Sequence, residues 1–306
     1  MGAAVMTQSS TTSDREIVTT RLVSAPRELV FEVWSRPEHV NAWFGPNGFT
    51  TKTKSMDFRE GGTWLYEMTG PDGKVWNSHI VYERIESPAL LKYRHGEKPG
   101  DERGFDVTVT FEDRGDKTEI TLKTVLPTKE QRDWVIENVG AIEGAKQTLA
   151  RLDETVSKLF VISHVFDAPR SLVYEAWTDP AMIEKWWGPV GCTTKVNLDL
   201  RAGGRYDYTM TGPDGNTFSR KGEYVEIVPN EKLVYENSFD TLNMAGAPQA
   251  AMRITVRFED YAGKTLLTFQ AQMTTAEERD KYVAIGTAQG WAQAFGKLEA
   301  LLQAQS

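Results

Sequence analysis

The sequence predicts an α+β protein made of two tandem copies of one domain. Three observations support this. The stretch from Ala25 to Gly48 recurs from Ala168 to Gly191, with 12 of 24 positions identical at a constant offset of 143 residues. Each copy continues into segments in which apolar and polar residues alternate, as in β-strands, and then into a stretch with helical spacing. The chain has 306 residues, enough for two domains of roughly 150 residues each.

The elements can be read in order from the first copy. Ile17–Val23 is apolar and β-branched, which predicts a first strand. Pro26 stands where a helix accepts proline, in the first turn, and Pro37 ends this helix and starts another. Gly45-Pro46 ends the second helix. The repeated stretch is therefore predicted to be a strand exit followed by two short helices.

About six antiparallel strands should make up the sheet of each copy. Trp64, Tyr66 and Met68 alternate with polar or smaller residues, which places the aromatic set on the inward face of one strand. Further strands of the first copy are predicted at about Val75–Ile85, Leu90–His95, Phe105–Asp113 and Lys117–Leu126. Their counterparts in the second copy are about Thr217–Ile227, Lys232–Ser238, Met252–Asp260 and Lys264–Met273.

Each copy closes with a stretch of helical spacing, predicted as one long helix over about Thr128–Leu159 and Thr274–Leu302. Each helix carries a Gly-x3-Gly pair, at 140 and 144 and at 286 and 290, which we interpret as a place where bulk is excluded. The predicted division of the chain is a disordered tail over 1–14, a first domain over 15–159 and a second over 160–306.

Composition excludes several function classes. The net charge of −8 argues against nucleic acid as a partner, and no apolar run reaches the roughly 20 residues that membrane insertion requires. The N-terminus lacks the pattern of a secretion signal, and the single Cys192 fits a reducing compartment, so we expect a cytoplasmic protein. We find no residue spacing typical of a metal site and no phosphate-binding loop, and expect no cofactor.

Several motifs occur in both copies. They include Ala-Pro-Arg at the first helix start and Trp-[Phe/Trp]-Gly-Pro at the second helix end, with the hairpin Thr-Gly-Pro-Asp-Gly at 69–73 and 211–215. The turn Asp57–Gly62 returns as Asp199–Gly204, each with an Asp-x-Arg pair that could anchor an anion or form a local ion pair. This set resembles the activator of heat-shock-protein-90 ATPase homologue family, within the START-like (SRPBCC) superfamily.

The resemblance covers nearly all of the chain, twice. It implies two tandem helix-grip domains of the birch-pollen-allergen type, each a curved antiparallel sheet around a long C-terminal helix with a hydrophobic cavity between them. Members of the superfamily bind lipids, sterols, hormones and polyketides there, and some catalyse cyclisations or hydrolyses.

Alternation and the expected cavity together predict the residues that contact a ligand. They are aromatic, sulfur-containing or polar side chains on inward faces: Trp64, Tyr66, Met68, Trp76, Tyr93, His95, Tyr206, Tyr208, Met210, Phe218, Tyr235, Asn237 and Trp291. The alternative is that they only fill the core. His95 aligns with Asn237, and Ala145 aligns with Trp291, so we expect the second cavity to be smaller or differently shaped. His39 and His79 are interpreted as solvent-facing.

The leading hypothesis is non-enzymatic binding of a small apolar or amphipathic ligand in each domain. The first alternative is a stress-related, co-chaperone-like module whose partner is a chaperone, as the family resemblance implies. The second is an enzyme of the cyclase or hydrolase kind that uses the same cavity, with His95 or an inward tyrosine as acid or base. No catalytic residue is assigned.

Overall fold

The computed structural model describes residues 13–237 and 252–305. The chain divides into two compact units, Met1–Ser157 and Lys158–Ser306, called unit 1 and unit 2 below. Each contains a seven-stranded antiparallel sheet, two short helices near its start and two helices at its end. The predicted fold class, two tandem helix-grip domains, is confirmed.

Unit 1 begins with a 3-10 turn at Ser13–Arg15. Its elements are β1 (Glu16–Val23), α1 (Arg27–Ser35), α2 (Pro37–Trp43), β2 (Thr50–Met56), β3 (Thr63–Thr69), β4 (Val75–Glu86), β5 (Leu90–Gly96), β6 (Phe105–Asp113), β7 (Thr118–Val125), α3 (Lys129–Val139) and α4 (Ala141–Ser157). The strand order in the sheet is β1-β7-β6-β5-β4-β3-β2.

Unit 2 repeats this order. Its elements are β8 (Leu159–Phe166), α5 (Arg170–Thr178), α6 (Pro180–Trp186), β9 (Thr193–Leu198), β10 (Arg205–Thr211), β11 (Thr217–Val228), β12 (Lys232–Asn237), β13 (Met252–Tyr261), β14 (Lys264–Met273), α7 (Ala276–Ala284) and α8 (Thr287–Gln303). The strand order is β8-β14-β13-β12-β11-β10-β9.

Bulges interrupt both sheets where the long strands β4 and β11 pair with β5 and β12. The register shifts between Tyr82 and Arg84 in β4 and between Tyr224 and Glu226 in β11. A bulge bends the strand and increases its twist, so these positions contribute to the curvature of each sheet. The curved face that carries the buried residues is called the inner face below.

The paired tryptophans of the repeated stretch anchor the short helices. Trp34 and Trp43 meet at 4.7 Å between ring centroids, and Trp177 and Trp186 meet at 4.9 Å. All four side chains are buried. The indole of Trp186 donates to the backbone oxygen of Ala176 over 2.8 Å, so a buried N–H is satisfied as burial requires. These residues belong to the core.

The long closing helix predicted for each unit is wrong in one respect, because it is broken in two. Gly140 separates α3 from α4 with φ of 68°, and Gly286 separates α7 from α8 with φ of 82°. Glycine is needed there for a left-handed backbone, which L residues adopt only at a cost. Exclusion of bulk is not the reason at Gly140, since a Cβ there would meet no atom within 4 Å.

Two strands were not predicted as separate elements. β2 and β9 lie at one edge of their sheets and pair with β3 and β10 alone. Their sequences, TTKTKSM and TTKVNL, are largely polar. An edge strand tolerates such a sequence because much of it faces solvent.

Replacing Gly140 by alanine should destabilise unit 1 by about 1–2 kcal/mol, since alanine would have to adopt the left-handed conformation. Chemical denaturation of the full chain measures this change in the free energy of unfolding. Gly296→Ala in α8 is the control, because a Cβ there meets no atom within 4 Å and no positive φ is required. It should be neutral or stabilising by about 1 kcal/mol. Equal effects of the two substitutions would contradict this account of the helix break.

Candidate functional site

The candidate site of each unit is the inner face of its sheet. In β3, Trp64 and Tyr66 are both 1% exposed, while Leu65 between them is 37% exposed. In β10, Tyr206 and Tyr208 are likewise buried. The structure therefore places these aromatic residues inward.

A tyrosine–histidine contact lies on the inner face of unit 1. The Tyr66 hydroxyl and His95 Nε2 are 3.1 Å apart, within hydrogen-bond distance. Tyr66 also hydrogen-bonds Ser78, its cross-strand neighbour on β4. The edge of Phe105 meets the imidazole at 4.7 Å between centroids. The imidazole of His95 is thus a polar group on an otherwise aromatic surface.

Burial lowers the pKa of His95 to about 4, against an ordinary value of 6.5, because the charged imidazolium loses solvation. Burial also raises the pKa values of Tyr66 and Tyr93 well above 10. At neutral pH all three side chains are uncharged and can exchange hydrogen bonds with a neutral ligand. A base with this pKa is poorly matched to proton transfer near pH 7.

Unit 2 has a different polar contact at the equivalent position of its sheet. The Tyr206 hydroxyl donates to Asn237 Oδ1 over 2.6 Å. Gly222 lies between them in the register, paired with Tyr206 on one side and Asn237 on the other. A Cβ on Gly222 would lie 2.5 Å from the Tyr206 hydroxyl and 1.9 Å from the backbone oxygen of Glu236. Glycine is therefore required for the Tyr206 ring to cross the strand.

The equivalent residue of unit 1 is Ile80, paired with Trp64 and His95. Unit 1 thus has Ile80 where unit 2 has Gly222, and Trp64 where unit 2 has Tyr206. Trp64 instead stacks on Tyr66 at 4.3 Å, and its indole nitrogen donates to Thr53 Oγ1 over 3.0 Å. Tyr66, one row along the strand, then reaches His95. The tyrosine that reaches this polar position therefore differs between the units, Tyr66 on β3 in unit 1 and Tyr206 on β10 in unit 2.

The largest difference between the inner faces comes from the last helix. Trp291 on α8 is 8% exposed and contacts four aromatic rings. Its centroid lies 4.2 Å from Phe269, 5.2 Å from Trp187, 5.3 Å from Phe295 and 5.9 Å from Trp177.

Ala145 holds the equivalent position on α4. Matching contacts fix the alignment. The side-chain oxygens of Gln147 and Gln293 each accept from a backbone N–H in the loop that follows the second short helix of their unit. Leu122 is the counterpart of Phe269. The alignment follows from Thr118 and Thr265, because the hydroxyl of each donates a buried hydrogen bond to the backbone oxygen of an equivalent alanine, and Leu122 and Phe269 each lie four residues further on. Ala145 and Leu122 are half-buried, whereas Trp291 and Phe269 are buried.

The remaining predicted residues lie on the same faces. Tyr93 and Tyr235 are buried on β5 and β12. Met68 pairs with Trp76, and Met210 with Phe218, near the hairpins at 69–73 and 211–215. These four side chains are half-buried. These side chains lie near the strand ends, so this edge of the inner face is partly exposed to solvent.

Sequence reasoning missed several inner-face residues. Tyr82 and Tyr224 are both 2% exposed, and no partner of the Tyr82 hydroxyl is found among the described residues. Arg220 on β11 is paired across the strands with Tyr208. The alternation of Phe218, Arg220, Gly222 and Tyr224 contained the information needed to place them inward. The charge of Arg220 obscured it, since charged residues usually face solvent.

Three other expectations can be compared with the structure. His39 and His79, interpreted as solvent-facing, are 6% and 8% exposed, so this interpretation is wrong. The Asp-x-Arg pairs form local ion pairs at 2.9 Å and are largely exposed. Within the described parts of the chain no group of His, Cys, Asp and Glu side chains is arranged to hold a metal ion.

The stability of the chain should fall as pH decreases from about 6.5 to about 4, in part through His95. In this range the unfolded chain protonates this histidine and the folded chain does not, so protons favour unfolding. His95→Asn, which introduces the residue of unit 2, should remove this part of the pH dependence. The free energy of unfolding of both proteins, measured between pH 7 and pH 4.5, tests this. Parallel pH curves would contradict a half-buried His95 that stays neutral in the folded chain.

Comparisons with known proteins address identity. None of the curated proteins to which the sequence was compared is a significant match. Protein NE0264 from Nitrosomonas europaea is 24% identical over 49% of this chain and 96% of its own, with a TM-score of 0.44. Protein Ms6760 from Mycobacterium smegmatis is 26% identical over 50% and 96%, with a TM-score of 0.45. The di-domain ARO/CYC protein BexL of the BE-7585A biosynthetic pathway is 15% identical over 94% and 98%, with a TM-score of 0.38.

The described helices include none that combines the length and apolar composition needed to cross a membrane.

The family model described as activator of Hsp90 ATPase homolog 1-like protein matches residues 24–157 and, a second time, residues 167–303. The resemblance predicted from the repeated motifs is confirmed, and the chain belongs to this family, with two copies of its domain in tandem.

Proposed function

We propose that the chain binds a small apolar or amphipathic molecule on the inner face of each unit, without catalysis. The observation that carries the proposal is the pair Ala145 and Leu122. They occupy inner-face positions that hold Trp291 and Phe269 in unit 2, yet both remain half-buried. A core that had closed over the smaller residues would bury them.

The chemistry around this position suits an uncharged aromatic or aliphatic ligand. Trp34 and Phe44 of unit 1 correspond to Trp177 and Trp187, which contact Trp291 in unit 2. A ligand near Ala145 would meet the same kind of surface that holds an indole ring in unit 2. Tyr66 and His95 supply a neutral polar contact further along the face. Concave apolar surfaces with a few polar groups are typical of small-molecule sites.

Binding should be measurable with the neutral fluorophore N-phenyl-1-naphthylamine, titrated into the full chain. Ala145→Trp should weaken binding about tenfold or more, since the new ring would fill the space as Trp291 does, and tenfold corresponds to about 1.4 kcal/mol.

Lys146→Trp adds the same ring at the exposed neighbouring position and is the matched control. It should leave the affinity unchanged. The absence of saturable binding to the wild type, or equal affinity of wild type and Ala145→Trp, would contradict the proposal.

A protein-interaction role has one observation in its favour. Trp134 on α3 is 58% exposed, and Val139 at the end of the same helix is 63% exposed. Large exposed apolar side chains can mark an interaction surface. Stimulation of a purified Hsp90 ATPase by the full chain, lost on Trp134→Ala, would favour this role over ligand binding.

A further inference from the structure

Arg220 is the residue of unit 2 that the proposed binding of an apolar molecule does not explain. It lies on the inner face, since it pairs with Tyr208 and precedes Gly222 by two residues on the same strand. The phenol groups of Tyr282 on α7, Tyr206 and Tyr235 lie near enough to its guanidinium to act on its charge. The side chain is half-buried between sheet and helix.

The charge of Arg220 is not neutralised within the part of the chain that the structure describes. No described carboxylate lies within the 4.0 Å of an ion pair. Two other arginines of unit 2 have such partners, since Arg201 has Asp199 at 2.9 Å and Arg253 has Glu236 at 2.6 Å. A guanidinium stays charged at any physiological pH, and its partial burial among phenol rings is costly unless an anion pairs with it.

Asn237 provides a second donor on the same face. It is 6% exposed, and its Oδ1 accepts from Tyr206. No hydrogen-bond partner of its Nδ2 is found among the described residues. It pairs with Gly222, so it is the diagonal neighbour of Arg220, and such positions lie roughly 7–8 Å apart. A buried donor without a partner costs free energy that an acceptor of a ligand would recover.

Unit 1 has no cation at this position. Its residue opposite Tyr66 is Ser78, where unit 2 has Arg220 opposite Tyr208. The position of Asn237 is held by His95, whose pKa is lowered by burial. The two inner faces therefore differ in charge as well as in size.

We propose that unit 2 binds the carboxylate of an aromatic or amphipathic molecule, held by the Arg220 guanidinium and Asn237 Nδ2, while the tyrosine rings contact its apolar part. Unit 1 takes an uncharged molecule. The inference rests on the proposed function and adds the chemical class of the ligand of unit 2. Planar bidentate pairing is what a guanidinium offers to a carboxylate.

The test uses the full chain and two probes of matched shape, 4-phenylbutyrate and 4-phenylbutan-1-ol, in isothermal titration calorimetry at pH 7. The wild type should bind the carboxylate about tenfold or more tightly than the alcohol, as hydrogen bonds to charged groups imply. Arg220→Gln should abolish this preference, so that the carboxylate binds no more tightly than the alcohol. Arg201→Gln is the matched control, since Arg201 is 67% exposed, and it should keep the preference.

Arg220→Lys keeps the charge and guards against misfolding of the glutamine variant. It should bind the carboxylate more weakly than the wild type but still more tightly than the alcohol. Equal affinity of the two probes for the wild type, or a preference that survives Arg220→Gln, would overturn the inference and leave the proposed function intact. Failure of both probes to bind would overturn both. Equally tight binding of inorganic phosphate would overturn the assignment of a carboxylate.

Discussion

The packing of Trp291 is the interaction on which the difference between the two units depends. A curved sheet that faces one helix encloses more space than backbone alone can fill, so inner-face side chains determine what remains. In unit 2 an indole and the phenyl ring of Phe269 meet at 4.2 Å and are buried. In unit 1 the same two positions hold alanine and leucine. One fold thus carries a filled and a less filled interior.

A second constraint acts through one residue of strand β11 and its counterpart in strand β4. Gly222 allows Tyr206 to lie across it and reach Asn237, whereas unit 1 has Ile80 and Trp64 at the positions of Gly222 and Tyr206. The tyrosine hydroxyls of the two polar contacts therefore come from different rows of the sheet, although both copies present aromatic residues at the same positions. Divergence of function between repeats needs only such changes in side chains, because backbone and register are kept.

Much of the fold follows from the sequence, since the internal repeat and period-2 alternation are strong signals. Alternation placed Trp64, Tyr66, Tyr206 and Tyr208 inward, as the structure has them. The edge strands β2 and β9 escaped because their sequences are largely polar and show no clear alternation. The break at Gly140 escaped because a glycine in a helical pattern does not reveal the sign of its φ.

The site was predicted less completely for a similar reason. Arg220 carries a charge, and a single sequence offers no sign that a charged residue lies inside. The alignment of Trp291 with Ala145 did predict that the interiors differ, and the structure shows how. The consequence for ligands depends on whether the space at Ala145 can be occupied.

A crystal structure of the full chain soaked with indole tests this most directly, because indole is the side chain that Trp291 supplies and Ala145 lacks. The account predicts indole bound in unit 1 beside Ala145 and Leu122, in contact with Trp34, and none at Trp291 in unit 2. An interior of unit 1 that excludes indole, with its own side chains closed over Ala145, would contradict it.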